Sequence, residues 1–283
     1  MSRNEDRVGS PQQDAEIPSV IQNEKSNSDF NWKLPTEIVE LPSKGKYYNK
    51  SHPLSNVSEV EIKFMSTEQE DILNNKSYLK KGTAIDKMIQ SILVDQSIKV
   101  EDMLVGDKNA LIIAARVNGF GKSYKTNVKC PVCEESFEHD FDLSKIKSEE
   151  GNPEEYGATI SEEGIVEMVL PKSEVVLRCK MMDGNDEKKY NQLLQSKKKN
   201  NLPDTPMTDQ LRMLIVSVNG DTNRSTIEKF IRIMPSLDIR YFRKTYSKCI
   251  PHIDMEQKVL CPNEDCEEVR EITVPFSPTF FWT

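Results

Sequence analysis

Two short cysteine-containing stretches decide how this chain is expected to fold: Cys130-Pro131-Val132-Cys133 and Cys261-Pro262-Asn263-Glu264-Asp265-Cys266. Two cysteines separated by two or four residues can turn both sulfurs toward one ion, and a closed site of four thiolates is a common structural zinc site. Alternating apolar residues flank each pair, so each pair is predicted to form the tip of a β-hairpin. The sequence therefore predicts one structural zinc ion, held in a zinc-ribbon-like element by Cys130, Cys133, Cys261 and Cys266.

The two pairs lie far apart along the chain, with 127 residues between Cys133 and Cys261. Compact zinc sites of this kind keep their pairs about 15–20 residues apart, so this ribbon would be split between two halves of the protein. Two other interpretations stay open: a dithiol redox site at the first pair, and thiols that bind nothing. His139 is an alternative ligand, whereas Cys179 and Cys249 are predicted to be small buried apolar residues.

The order of predicted elements recurs, because each half reads strand, helices, strand, cysteine pair, strand. The stretch from Ser173 to Leu177 echoes the stretch from Ser58 to Ile62 at an offset of 115 residues, and the cysteine pairs are offset by 131. We interpret this as an internal duplication, with a chance similarity of two α+β stretches as the alternative.

The predicted fold class is α+β, with two pseudo-repeats of strand, helices and β-hairpin. The first repeat is predicted at residues 34–146 and the second at 165–283, joined by an acidic linker at 147–164. Residues 1–33 contain few apolar residues and no periodicity, so they are predicted to be a disordered N-terminal tail.

Three local predictions concern single elements. Asp107 is predicted to cap a helix that ends at Gly119. The apolar residues Leu211, Leu214, Ile215 and Val218 have helical spacing and predict one helix. The run of three lysines at 197–199 predicts a solvated loop.

Composition disfavours several classes of protein. The chain of 283 residues has 38 basic and 46 acidic residues, a net charge of −8, whereas proteins that bind nucleic acid usually carry a basic surplus. The longest apolar runs are far shorter than the roughly 20 residues of a membrane span. The start of the sequence lacks the pattern of a signal peptide, so the six cysteines are not expected to form disulfides.

No motif predicts an active site. The stretch Gly119-Phe120-Gly121-Lys122-Ser123 ends like a phosphate-binding loop, but Arg116 stands where that loop needs a glycine. The three histidines, His52, His139 and His252, have no partner at metal or triad spacing. We therefore expect neither an enzyme nor a small-molecule substrate.

Aromatic residues crowd the C-terminal end, with four of them in residues 276–282. Such a cluster is unfavourable in water. Phe280, Phe281 and Trp282 are predicted to contact a partner protein, and the alternative is that they fold back and brace the ribbon.

Several stretches together carry a resemblance to a known family. They are Leu41-Pro42-Ser43-Lys44-Gly45 with Tyr48, the run from Met65 to Leu73, Lys81-Gly82-Thr83, the run from Leu104 to Asn109, and the ending Thr279-Phe280-Phe281-Trp282. In this order they resemble the baseplate hub assembly proteins of T-even-type contractile-tailed bacteriophages, over about residues 34–283.

The resemblance implies a non-enzymatic role in building the central hub of the tail baseplate, as a subunit or an assembly factor. The expected partners are other baseplate hub proteins, and the expected locations are the host cytoplasm during assembly and the virion tail. The alternative function is a zinc-ribbon protein that binds nucleic acid or assists late transcription. The net charge of −8 argues against that alternative.

Overall fold

Short antiparallel hairpins and amphipathic helices alternate along the chain. In the computed structural model of the protein, the described residues are 34–263, 266, 269–275 and 278–281. The predicted tail at residues 1–33 lies outside this part of the chain. No helix among the described residues has the length and apolar character needed to cross a membrane.

The described residues contain eight α-helices and twelve strands, which confirms a mixed fold of helices and small sheets. The helices are α1 Thr67–Asn74, α2 Lys76–Lys81, α3 Ala84–Ile92, α4 Val105–Phe120, α5 Gly184–Lys199, α6 Pro206–Leu214, α7 Arg224–Ile233 and α8 Ser236–Cys249. The strands are β1 Thr36–Glu40, β2 Glu59–Lys63, β3 Ser123–Lys129, β4 Ser136–Asp142, β5 Lys147–Glu149, β6 Ala158–Ile160, β7 Ile165–Val169, β8 Val176–Lys180, β9 Ile215–Val218, β10 His252–Asp254, β11 Glu256–Leu260 and β12 Val269–Thr273.

All described strand pairs are antiparallel. Four sheets have two strands each (β1–β2, β3–β4, β5–β10 and β11–β12), and one sheet has the order β6–β7–β8–β9. Strands β5 and β6 lie in the segment predicted as an acidic linker, and Ala158 of β6 is buried. The boundaries of that linker and of the two repeats stay predictions.

Two apolar cores lie along the chain. The first core packs α1, α3 and α4 against β1–β4, and the second packs the four-stranded sheet against α6, α7 and α8. The C-terminal residues Val259, Val274, Phe280 and Phe281 belong to the first core, not the second. These C-terminal residues therefore pack against the first half of the chain and not against the second half that directly precedes them.

The prediction of one helix from Leu211 to Val218 was wrong at its second half. Helix α6 ends at Leu214, and residues 215–218 form β9 at the edge of the four-stranded sheet. Ile215, Val216 and Val218 are β-branched and favour a strand, and β8 supplies the neighbouring strand. Apolar spacing alone cannot distinguish a helix from a helix that is followed directly by a strand.

The prediction of a solvated loop at residues 197–199 was also wrong, since all three lysines lie in the last turn of α5. Lys197 Nζ lies 2.5 Å from Asp209 Oδ2 and 2.6 Å from Thr205 Oγ1, and the Asp209 side chain is buried. This ion pair ties the end of α5 to α6. Basic residues at a helix C-terminus are also favoured by the helix dipole.

The prediction that Asp107 caps α4 was wrong. Asp107 lies in the first turn of the helix, where its side chain is buried. Its carboxylate accepts hydrogen bonds from Ser43 N at 2.9 Å, Ser43 Oγ at 2.6 Å and Tyr48 Oη at 2.7 Å. Burial raises the pKa of Asp107 and opposes the lowering by these hydrogen bonds. The Tyr48 hydroxyl in turn accepts from Leu104 N at 2.9 Å, so it takes up a free N–H at the start of α4.

The same arrangement occurs at the start of α8. Asp238 is the third residue of that helix, as Asp107 is of α4, and it is also buried. Its carboxylate accepts from Lys172 N at 2.8 Å and Ser173 N at 2.9 Å. These donors belong to Leu170-Pro171-Lys172-Ser173, which repeats the Leu-Pro start of the stretch at 41–45.

We expect the Asp107→Asn substitution to lower the free energy of unfolding by about 2–4 kcal/mol, because an amide cannot accept from all three donors and leaves buried polar groups unpaired. Asp238→Asn should act in the same direction. Asp71→Asn, at an exposed position of α1, is the matched control and should change little. Chemical denaturation measures all three, and equal midpoints for Asp107→Asn and the control would contradict this account.

Candidate metal centre

The first cysteine pair sits in a tight loop at the end of the β3–β4 hairpin. The last paired residues of the hairpin are Lys129 and Ser136. Cys130 N donates to Glu135 O at 2.8 Å, and Glu134 N donates to Cys130 O at 3.0 Å. Glu134 takes a positive φ of 62°, which turns the loop back toward β4. We call this loop, residues 130–135, the first knuckle.

The second pair lies at the end of the β11–β12 hairpin, in residues 261–268, the second knuckle. Leu260 and Val269 are the last paired residues, and Cys266 N donates to Asn263 O at 2.9 Å. Hydrogen bonds connect the two hairpins: Asn263 Nδ2 donates to Glu135 Oε2 at 2.6 Å, and Gln257 Nε2 donates to Asp142 O at 2.9 Å. Each cysteine pair therefore sits at a hairpin tip, as the sequence predicts, and the two tips meet.

The four knuckle cysteines come together in one group. The sulfur atoms of Cys130, Cys133, Cys261 and Cys266 all lie within 4.8 Å of one another. The Sγ atoms of Cys133 and Cys261 are 3.6 Å apart, and ligands at zinc–sulfur bond lengths in a tetrahedron would be separated by about 3.8 Å. None of these cysteines forms a disulfide. This group can hold one metal ion.

The electrostatics of the group favour a bound cation. Backbone N–H groups of Cys133 and Val132 lower the pKa of the Cys130 thiol to about 7. At Cys261 the Asn263 N–H acts to lower the pKa, but burial and the neighbouring sulfurs raise it to about 12. Four sulfurs this close cannot all become thiolates unless a positive charge lies between them.

The other candidate ligands lie elsewhere. His139 faces Thr126 across the β3–β4 hairpin and packs edge-on against Phe141, with ring centroids 4.7 Å apart, outside the cysteine group. Cys179 and Cys249 are buried in the second core, as predicted. Burial raises the pKa of both thiols, to about 11 for Cys249.

The C-terminal aromatic residues Phe280 and Phe281 are 0% and 1% exposed, respectively, in the first core. The Phe280 ring packs edge-on against Tyr124, with centroids 4.9 Å apart, and against Phe281 at 5.5 Å. This burial favours the alternative in which the aromatic residues brace the fold. Trp282 lies outside the described residues, and partner contact by this end of the chain stays a prediction.

Arg116 holds this end of the chain, and the sequence analysis missed that role. Its buried guanidinium donates to Phe280 O at 2.9 Å, Gly121 O at 3.0 Å and Ser123 O at 3.3 Å. It also lies 5.8 Å from the centre of the Phe280 ring. Residues 110–117 are apolar except for Arg116. A single arginine in such a run is the signal that could have predicted a buried guanidinium with hydrogen-bond partners.

A comparison with known protein families supports the family resemblance carried by the motifs between Leu41 and Asn109. Residues 34–282 match the family described as T4 bacteriophage base plate protein, and the chain belongs to this family. It is therefore a bacteriophage baseplate protein with a structural role, associated with other proteins of the phage tail. No curated protein and no solved structure matches the chain.

We expect the purified, reduced protein to contain one metal ion per chain. Cys133→Ser and Cys266→Ser should each lose most of it, and these half-buried positions should disturb packing less than the two buried ligands. Cys179→Ser and Cys249→Ser are matched controls outside the group and should keep the full metal content. Elemental analysis of the five proteins tests this, and absence of metal from freshly purified wild type would contradict it.

We expect Arg116→Lys to loosen the C-terminal end of the chain, because one ammonium cannot reach all three carbonyl oxygens and leaves buried acceptors unpaired, at about 1–3 kcal/mol each. Amide hydrogen exchange at Phe280 and Phe281 should become faster. Arg243→Lys, at an exposed position of α8, is the control. Unchanged exchange in Arg116→Lys would show that core packing of the phenylalanines is sufficient.

Proposed function

We propose that this protein helps to build the central hub of a contractile-tail baseplate through protein–protein contacts, as a hub subunit or an assembly factor. The observation that carries the proposal is the family match over residues 34–282. The motifs at residues 41–48 and 104–109 resemble those of baseplate hub assembly proteins and support a role in the hub in particular. The two motifs contact each other through the Asp107 carboxylate.

The metal of the cysteine centre is proposed to be a single structural zinc ion. Four thiolates in a compact group favour zinc over ions that prefer oxygen ligands. All four coordination positions would be protein sulfurs, which leaves no open position for a substrate, so the ion would stabilise the fold and perform no chemistry. It would join the β3–β4 and β11–β12 hairpins into a split zinc ribbon.

The two halves are proposed to be an ancient duplication. Asp107 and Asp238 occupy the same position of α4 and α8, and each holds a Leu-Pro turn by hydrogen bonds. The offset between these aspartates is 131 residues, the same as between Cys130 and Cys261. A shared offset in helix start and cysteine knuckle supports duplication of the whole unit.

A non-enzymatic role is part of the proposal. An open groove of about 500 Å³ lies beside β8, α5 and α6. Charged side chains that line the groove form ion pairs, Lys180 with Asp186 at 2.6 Å and Arg212 with Glu228 at 2.9 Å. These ion pairs connect neighbouring elements and favour a packing role for the groove.

Binding of nucleic acid through the ribbon is disfavoured by charge. The knuckle segments 130–135 and 261–268 contain six acidic residues and no basic residue. A ribbon that contacts phosphates would need lysine or arginine at its tip.

The test is capture of affinity-tagged protein from infected cells, followed by mass spectrometry of the bound proteins. We expect proteins of the baseplate hub to be enriched over a mock-tagged control. Mass spectrometry of purified virions then separates the two forms of the proposal, because a hub subunit stays in the particle and an assembly factor does not. Enrichment of the transcription machinery in place of tail proteins would contradict the proposal and favour the zinc-ribbon alternative.

A further inference from the structure

The two helices α7 and α8 are basic, although the chain as a whole is acidic. Residues 224–249, which span both helices, contain seven basic and two acidic residues. Glu228 pairs with Arg212 of α6 at 2.9 Å, and the buried Asp238 accepts from two backbone N–H groups of the turn before β8. Both carboxylates are thus engaged by residues outside the two helices, which leaves the helices with a surplus of positive charge.

Four of these cations are exposed on either side of the turn between the helices. Lys229 and Arg232 belong to α7, and Arg240 and Arg243 belong to α8. Within the part of the chain that the structure describes, these four side chains form no ion pair. The two cations of each helix are three positions apart, a spacing at which like charges repel each other. A surface that supplies carboxylates would relieve this repulsion.

Exposed aliphatic side chains lie between the two pairs of cations in the sequence. Ile233, the last residue of α7, is 77% exposed, and Leu237, in the first turn of α8, is 53% exposed. Met234 is buried in the second core, so it fixes this turn to the body of the protein. Exposed aliphatic residues with a polar rim are typical of a protein-interaction site. We call residues 229–243 the α7–α8 corner.

We propose that the α7–α8 corner binds an acidic segment of another protein, one that carries an apolar side chain among its aspartates and glutamates. The carboxylates pair with the four exposed cations and set the orientation of the contact. The apolar side chain is buried against Ile233 and Leu237, which supplies the hydrophobic part of the binding free energy. The inference rests on the proposed function, because it names the chemistry of a partner that acts through protein–protein contact.

The corner suits an acidic protein better than a nucleic acid. Recognition of a phosphate backbone uses cations and polar donors, and single strands are also bound by exposed aromatic rings. The aromatic residues of α8 point elsewhere: Phe242 is buried in the second core, and the Tyr241 hydroxyl donates to Tyr156 O at 3.1 Å. The exposed centre of the corner is aliphatic, which favours a protein side chain over a base.

The corner also differs from a helix that lies in a membrane surface. Such a helix presents a continuous apolar face to the lipid. The apolar face of α8, which includes Phe242, Tyr246 and Cys249, is buried in the second core. Ile233 and Leu237 then offer too small an apolar area to insert into a bilayer, but enough to accept one side chain of a partner protein.

The test places a photo-crosslinking residue in the corner of the full-length protein in infected cells. Leu237→benzoylphenylalanine samples the corner, and Leu79→benzoylphenylalanine, at an exposed position of α2, is the matched control. Mass spectrometry identifies the crosslinked peptides and therefore both the partner and the composition of the segment that touches the corner.

Two charge reversals are then combined with the crosslinker in the corner. The corner-reversed variant carries Arg232→Glu and Arg240→Glu, and the control variant carries Lys80→Glu and Lys81→Glu on α2, which change the net charge by the same amount at exposed positions. Melting temperature and metal content of each purified variant show whether it is folded.

We expect the crosslinker at Leu237 to capture a peptide of net negative charge from another protein, and the crosslinker at Leu79 not to capture it. The corner-reversed variant should lower the yield of this crosslink at least about tenfold, whereas the α2 control should change it little. Lysine at two acidic positions of the captured segment should restore the crosslink to the corner-reversed variant, a rescue that a folding defect cannot produce.

The proposal is overturned if Leu237 gives no crosslink above the Leu79 control in cells from which the tagged protein captures hub proteins, and the hub role then stands. It is also overturned by a captured segment without a surplus of acidic residues, by a crosslink that persists in the folded corner-reversed variant, or by capture of a second copy of this chain. Binding of duplex DNA or of vesicles with anionic phospholipid at physiological salt, lost in the corner-reversed variant, has the same consequence. Capture of an acidic segment from a protein outside the phage tail would support the corner's chemistry and contradict the hub role.

Discussion

Three charged side chains lie buried on one helix, α4, and their pairing brings distant segments of the chain against that helix. Asp107 holds the turn at residues 41–45 and Tyr48. Lys108 binds Asp86 of α3 and Glu187 of α5; burial acts to lower its pKa, but the two carboxylates raise it. Arg116 holds the C-terminal end through the Phe280 carbonyl. One helix therefore fixes segments from both ends of the described chain.

This constraint gives a physical meaning to the motifs that carry the family resemblance. The Leu-Pro-Ser-Lys-Gly stretch at residues 41–45 and the run at 104–109 lie far apart in the sequence, yet they meet at the Asp107 carboxylate. Gly106 is needed beside it, because a Cβ there would lie 2.2 Å from the Pro251 carbonyl oxygen. The motifs are thus the parts of a packing arrangement around the start of α4.

The cysteine group is a second long-range connection. It joins the β3–β4 hairpin, which follows α4, to the β11–β12 hairpin near the end of the chain. Arg116, which donates to the Phe280 carbonyl, also connects the C-terminal residues to the first core.

The sequence by itself determined the features that depend on local pattern. Alternating residues predicted the β3–β4 and β11–β12 hairpins, and paired cysteines predicted the group of four cysteines at their tips. It did not determine the role of a residue whose partner is distant: Asp107 as an acceptor for Ser43, Lys197 as a partner of Asp209, Arg116 as a clamp on Phe280, or the change from helix to strand at Ile215 beside β8. Only the tertiary structure decided these, because the pairing of a buried charge and the neighbour of an edge strand are set by packing.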